Sequence, residues 1–294
     1  MERLTDESNS KRARHIPFYV KRFVAGTQAD DAVKVARKLA DRGISATLDL
    51  LGENVTNHKA TEAFTQSYIH LLDSMHNAKL LPYISVKLTM LGLDLDSELC
   101  YEKIAKVMAH ADQLGGRVCL DMEGSPYTER TLTFYERLCK SYRAPEIVLQ
   151  AYLRRTQEDV ARVLAANGRM RLCKGAYKEP PQLALQKMPE IRDNYLNLLE
   201  RLLAKGQRIC IASHDDTIIA AASDWIQKNQ IPQERYEFQM LYGLREKTWS
   251  SLRNKGHEMT VYVPYGTDWQ AYYKRRLSER KENIFFIFRN FFRN

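Results

Sequence analysis

The sequence predicts a (β/α)8 barrel of the TIM type, in which eight parallel strands alternate with eight helices. Two observations carry this expectation. Eight short apolar runs recur at intervals of roughly 30 residues, the length of one βα unit. The stretches between them place apolar residues at a spacing near that of a helix turn. A third observation sets aside a doubly wound open sheet, because no Gly-x-Gly-x-x-Gly fingerprint follows any of the runs.

In chain order, residues 1–45 are expected to form an N-terminal helical segment, 46–282 the barrel and 283–294 an aromatic, basic tail. Strands are expected at 46–52 (ATLDLLG), 83–88 (YISVKL), 117–122 (RVCLDM) and 147–152 (IVLQAY). They continue at 170–175 (MRLCKG), 208–213 (RICIAS), 236–241 (YEFQML) and 259–264 (MTVYVP). The runs read as continuously apolar, as for parallel strands covered on both faces. Among the helices, 97–114 opens with Ser97 and Glu98 and carries Leu99, Ile104, Val107 and Met108. Segments 158–166 and 193–203 repeat that spacing, and Gly115, Gly116, Gly168 and Gly206 stand where C-cap glycines are expected.

Composition narrows the function. With 294 residues, 44% hydrophobic and 28% charged, the chain is neither disordered nor collagenous. No stretch approaches the roughly 20 apolar residues of a spanning helix, and MERLTDESNSKRARH lacks the apolar core of a secretory signal. Five scattered cysteines without metal-ligand spacing fit a reduced cytoplasmic interior, with no disulfide framework and no metal. The net charge of +9 is concentrated at 11–15, 21–23 and 273–281 rather than on a recognition motif, so nucleic acid is not expected as a partner.

Barrel enzymes work at the C-terminal ends of their strands. The polar residues expected there are Glu53, Lys87, Asp121, Glu123, Gln150, Lys174, His214, Asp215, Gln239 and Tyr262. Two segments stand out. In RLCKGAY (171–177) a glycine just past a strand lets backbone approach a ligand closely. In YYKRRLSER (272–280), Tyr272, Arg275, Arg276 and Glu279 share one helix face, and adjacent guanidiniums can grip a carboxylate.

These segments also carry a resemblance. RFVAG (22–26), TLDLLGENV (47–55), SVKLTMLG (85–92), LDMEGS (120–125), LQAY (149–152) and RLCKGAY occur in order. IASHD (211–215), EFQMLYG (237–243), VYVPYG (261–266) and YYKRRLSE (272–279) follow. In these motifs the chain resembles the monofunctional proline dehydrogenases. The resemblance implies a distorted (β/α)8 barrel with its last helix over the mouth, non-covalent FAD, and oxidation of L-proline to Δ1-pyrroline-5-carboxylate. It also implies a quinone acceptor and a separate pyrroline-5-carboxylate dehydrogenase for the product. By similarity, Lys87, Tyr262, Arg275 and Arg276 bind substrate, and Asp121 and Arg171 have active-site roles. Met122, Gln150, Arg171, Lys174, Gly175, Ala176, Ser213 and His214 hold FAD. Cys173 and Ser213 depart modestly from the family's usual residues and keep their size and character.

Three further expectations follow. Asp121 pairs with a cation of the mouth, Lys87 being the choice. Glu53 closes the mouth as a gate through an ion pair with Arg275 or Arg276. The tail sets Phe285, Phe288 and Phe292 on one face, which docks on protein as its primary role, with peripheral contact at the inner membrane face secondary. The competing chemistry is a Schiff-base aldolase using Lys87 or Lys174 as nucleophile.

Overall fold

The computed structural model describes residues 16–52, 55–143, 145–205 and 208–278, with side chains through residue 274. The Glu53 gate, the side chains of Arg275 and Arg276, Glu279, Gly206 and the tail lie outside the described residues.

Eight parallel strands close into a barrel in sequence order. They are β1 (Ser45–Leu50), β2 (Tyr83–Val86), β3 (Arg117–Leu120), β4 (Pro145–Gln150), β5 (Arg169–Cys173), β6 (Ile209–Ala212), β7 (Tyr236–Leu241) and β8 (Met259–Tyr265). Closure is the β1–β8 pairing, in register from Ser45 opposite Thr260 to Leu50 opposite Tyr265. All eight expected strands are present. Most end one or two residues earlier than expected, so Lys87, Asp121 and Lys174 stand in loops at the rim.

Two helices, α1 (Phe18–Lys21) and α2 (Ala29–Ala40), precede the barrel. Between strands come α3 (His58–Asn77), α4 (Ser97–Gln113), α5 (Ser125–Cys139), α6 (Thr156–Ala165), α7 (Met188–Lys205), α8 (Asp216–Lys228) and α9 (Glu246–Asn254). The last, α10 (Trp269–Ser278), follows β8. The cap of α4 is Asp96, whose carboxylate accepts from Leu99 N–H at 3.0 Å, so Ser97 is the first helical residue. Gly115 is left-handed as expected, whereas after α6 that conformation falls on Asn167, with φ 52°, and not on Gly168.

α2 packs on β1 and β8, covering the seam of the barrel. That leaves α10 displaced toward the mouth. Trp269 and Tyr272 of α10 are buried with Ile16, Val20, Val24 and Leu51, the last lying just beyond β1. This small apolar cluster is separate from the main core and places the backbone of Arg275 and Arg276 beside the strand ends.

The barrel interior departs from expectation. The strands are not continuously apolar, because inward positions carry polar side chains. Along β7, Tyr236, Phe238 and Met240 join the apolar core, while Glu237 and Gln239 point inward, each 2% exposed. The same alternation aims Tyr83 and Ser85 of β2, Arg117 of β3, Glu146 of β4 and Arg171 of β5 into the lumen, where they bond one another. The lumen is thus filled by a hydrogen-bonded column instead of the branched apolar layers common in such barrels.

Candidate active site

Lys87, the first residue past β2, is 3% exposed and donates to Asp49 Oδ1 at 2.8 Å. Asp49 sits within β1 and was not among the expected site residues. A carboxylate in the middle of an apolar strand was the signal that could have found it. Burial pushes the Asp49 carboxyl above its ordinary value, against the pull of Lys87. The expected Asp121–Lys87 pairing is secondary, at 3.8 Å. The primary cation of Asp121 is Arg171, whose Nη1 donates to Oδ1 at 2.9 Å. The other oxygen of Asp121 accepts from Tyr262 OH at 2.7 Å. Burial, then the neighbouring Asp121, pushes the Tyr262 hydroxyl well above the usual tyrosine range. Lys87, Asp121, Arg171 and Tyr262, 175 positions apart at the extremes, therefore meet in one cluster.

A second sector adjoins it at the ends of β4, β5 and β6. The Gln150 amide bridges two loops, Nε2 donating to Glu123 O at 3.1 Å and Oε1 accepting from Ala176 N–H at 3.2 Å. Met122 and Ser213 are buried nearby in sequence on the β3 and β6 loops. Gly175 has φ +127°, and a Cβ there would lie 2.2 Å from the Tyr152 ring. The close approach that demands glycine is thus to this chain's own tyrosine. His214 Nε2 accepts from Leu241 N–H at 2.9 Å, which occupies that ring nitrogen and sets the tautomer with its proton on Nδ1. Lys174 Nζ and Arg192 Nε both reach Asp215 Oδ2, at 3.2 and 2.9 Å. Burial opposes ionisation of Asp215, but Arg192 and Lys174 hold its carboxyl below the usual range. Two partly exposed cations against one carboxylate leave surplus positive charge on this lip, which suits the phosphates of a dinucleotide.

Gln239 was expected at the mouth and lies deeper. It is the fourth residue of β7 and bonds Arg171, Tyr83 and Glu237 inside the barrel. Glu123 is also withdrawn from the mouth, accepting from the Thr89 hydroxyl at 2.8 Å. The Schiff-base reading requires a free neutral amine. Lys87 and Lys174 each sit in an ion pair, so the geometry does not favour it.

A family model described as proline dehydrogenase matches residues 32–288. The chain belongs to the proline dehydrogenase family. It is an enzyme of that class. Proline dehydrogenase 2 of Bacillus subtilis (strain 168) is 35% identical over 268 residues, covering 91% of this chain and 88% of the relative. The proline dehydrogenase of Deinococcus radiodurans is 34% identical over 271 residues, 90% of this chain and 87% of its own. Among solved structures, proline utilization A from Bdellovibrio bacteriovorus, inactivated by N-propargylglycine, superposes with a TM-score of 0.83 at 28% identity. That match covers 90% of this chain and 33% of the other. The strand-end motifs of this proline dehydrogenase family member are therefore gathered on one face of its barrel.

The buried carboxylates give a pH expectation. Burial opposes ionisation of Glu146 and Glu237, yet Arg117 and its neighbours hold both below the ordinary 4.5. A depressed carboxyl adds stability that is present above the unfolded value and is lost as pH falls through the folded value. Asp49, Asp159 and Asp268, shifted upward by burial, act in the opposite sense, but none of them belongs to the Arg117 base. The melting temperature should hold from neutral pH to near 4.5 and fall steeply below it. A melting temperature that rises on acidification below that point would contradict the pairing.

Proposed function

We propose that this enzyme oxidises L-proline to Δ1-pyrroline-5-carboxylate with FAD, and that its electrons pass to a quinone. The observation that carries this reading is the adjacency of the Lys87–Asp121–Arg171–Tyr262 cluster to the β4–β6 lip, joined through Arg171. The residues present fit the cofactor. Lys174 would face the phosphates from the lip, Gln150, Ser213 and His214 are fixed by hydrogen bonds around it, and Met122, Gly175 and Ala176 complete the set with Arg171. When bound, FAD supplies the hydride acceptor that no side chain can provide.

Proline is a small zwitterion, so its carboxylate requires cations. Lys87 supplies one from the rim, and Arg275 and Arg276 of α10 supply the others. Asp49 and Asp121 fix the direction of the Lys87 ammonium. Arg171, held from several sides, sets Asp121 and through it the Tyr262 hydroxyl. The protein orients a neutral amine and excludes water, with no covalent nucleophile. The product passes to a separate pyrroline-5-carboxylate dehydrogenase. We place the enzyme in the cytoplasm with peripheral contact to the inner membrane face; no helix among the described residues is long and apolar enough to cross a membrane.

The visible absorption spectrum of the purified protein tests this reading against the aldolase. A yellow protein with a flavin spectrum supports it, and a colourless protein that is trapped by borohydride in the presence of an aldehyde or ketone substrate overturns it. The proposed gate has its own test. Glu53→Ala should raise the KM for proline by about tenfold, the scale of one charge-assisted contact. A variant with wild-type kcat and KM would remove Glu53 from the mechanism.

A further inference from the structure

Gln239 is buried in the middle of the column, with Arg171 on one side and Glu237 on the other. Its amide is engaged at both ends. Oε1 accepts from Arg171 Nε at 2.6 Å, while Nε2 donates to Glu237 Oε1 at 2.6 Å and to the Tyr83 hydroxyl at 3.0 Å. Flipping the amide would set its NH2 against a guanidinium and its carbonyl against a carboxylate, so one orientation is enforced. The Tyr83 hydroxyl accepts in addition from Arg171 Nη2 at 3.1 Å and donates to Glu146.

Beneath them lies a base built on one guanidinium. Arg117 donates to Glu146 Oε2 at 2.6 Å and to Glu237 Oε2 at 3.1 Å, and its guanidinium carbon stands 4.1 Å from the Tyr83 ring centroid. The Nε edge of Arg171 is therefore held by Gln239 and the Nη2 edge by Tyr83 together with the Ser85 hydroxyl, at 3.1 Å each, and Nη1 is left directed at Asp121. We propose that Gln239 and Tyr83 are positioning residues that carry the alignment of the Arg117–Glu146–Glu237 base to Arg171, and through it to Asp121 and Tyr262. The proposal rests on the reading of Arg171 and Asp121 as active-site residues. Neither Gln239 nor Tyr83 touches substrate. Without their acceptors the guanidinium turns away from Asp121, while the cations that hold the substrate carboxylate stay in place. The loss therefore falls on kcat and spares binding.

The test uses the full chain with its cofactor and the variants Gln239→Leu and Tyr83→Phe. Proline kinetics are measured beside calorimetric affinity for a five-membered-ring carboxylate that lacks the ring nitrogen. In both variants kcat should fall about tenfold or more, with KM and ring-carboxylate affinity within about threefold of wild type. If Gln239→Leu does not fold, Tyr83→Phe decides alone, since it keeps the ring against the Arg117 guanidinium. A Tyr83→Phe enzyme with kcat within about twofold of wild type, or with binding weakened in parallel, overturns the proposal. Asp121→Asn separates it from the underlying reading. Unchanged kcat there overturns the site assignment itself, whereas kcat lost there and kept in Tyr83→Phe overturns only the positioning role.

Discussion

Replacing Arg117 by methionine is expected to cost about 3–5 kcal/mol of stability, the penalty for leaving buried carboxylates without their cation. Glu146 is fully buried and Glu237 is 2% exposed, and the Arg117 guanidinium reaches both. Methionine fills the volume but offers no donors. Glu237 keeps Arg208 at 2.8 Å, whereas among the described residues the cation left to Glu146 is Arg171, at 4.0 Å, beside the Tyr83 hydroxyl. Thermal melts should show a fall on the order of 10 °C. A melting temperature unchanged within about 2 °C would mean that the column contributes little and that the interior adapts by protonation or entry of water.

The second large effect is on substrate capture. Arg275→Met or Arg276→Met should each raise the KM for proline roughly 10- to 100-fold, because a charge-assisted bond to a carboxylate contributes about 1.5–3 kcal/mol. The cofactor should remain bound, since the residues proposed to hold it lie on β4, β5 and the loops after β3, β5 and β6, and not on α10. Tyr272, one turn earlier, is buried in the Ile16–Trp269 cluster, so the helix keeps its seat when either arginine is replaced. Steady-state kinetics with the visible spectrum as control measure both quantities. Proline KM within about twofold of wild type in both variants would reject the clamp.

The barrel was legible because each βα unit announces itself locally, through apolar runs and helical spacing that need no long-range information. The strand-end residues Lys87, Asp121, Lys174 and His214 were legible for the same reason: the fold class says where to look. What escaped was the interior. Read as apolar, RVCLDM and YEFQML conceal Arg117 and Glu237, although their period-two alternation was available, and Glu146 fell just outside the strand expected at 147–152. Their meaning depends on partners 29 and 120 positions away, and nothing local specifies those. Asp49 was hidden likewise, since its value lies in facing Lys87, just past the end of the neighbouring strand. Gln239 was misplaced by counting it with the strand-end residues, although two further residues of the strand follow it. The Asp121 partner was misjudged because sequence shows two candidate cations but not which is nearer, and Arg171 reaches it 0.9 Å closer than Lys87.

The measurement that tests the central claim most directly is anaerobic addition of L-proline to the purified enzyme with its cofactor, followed by visible absorption. Oxidation of proline at the Lys87–Asp121–Arg171–Tyr262 cluster predicts bleaching of the flavin band, with a pyrroline product trapped in equal amount. A flavin spectrum that stays unchanged at saturating L-proline would contradict it.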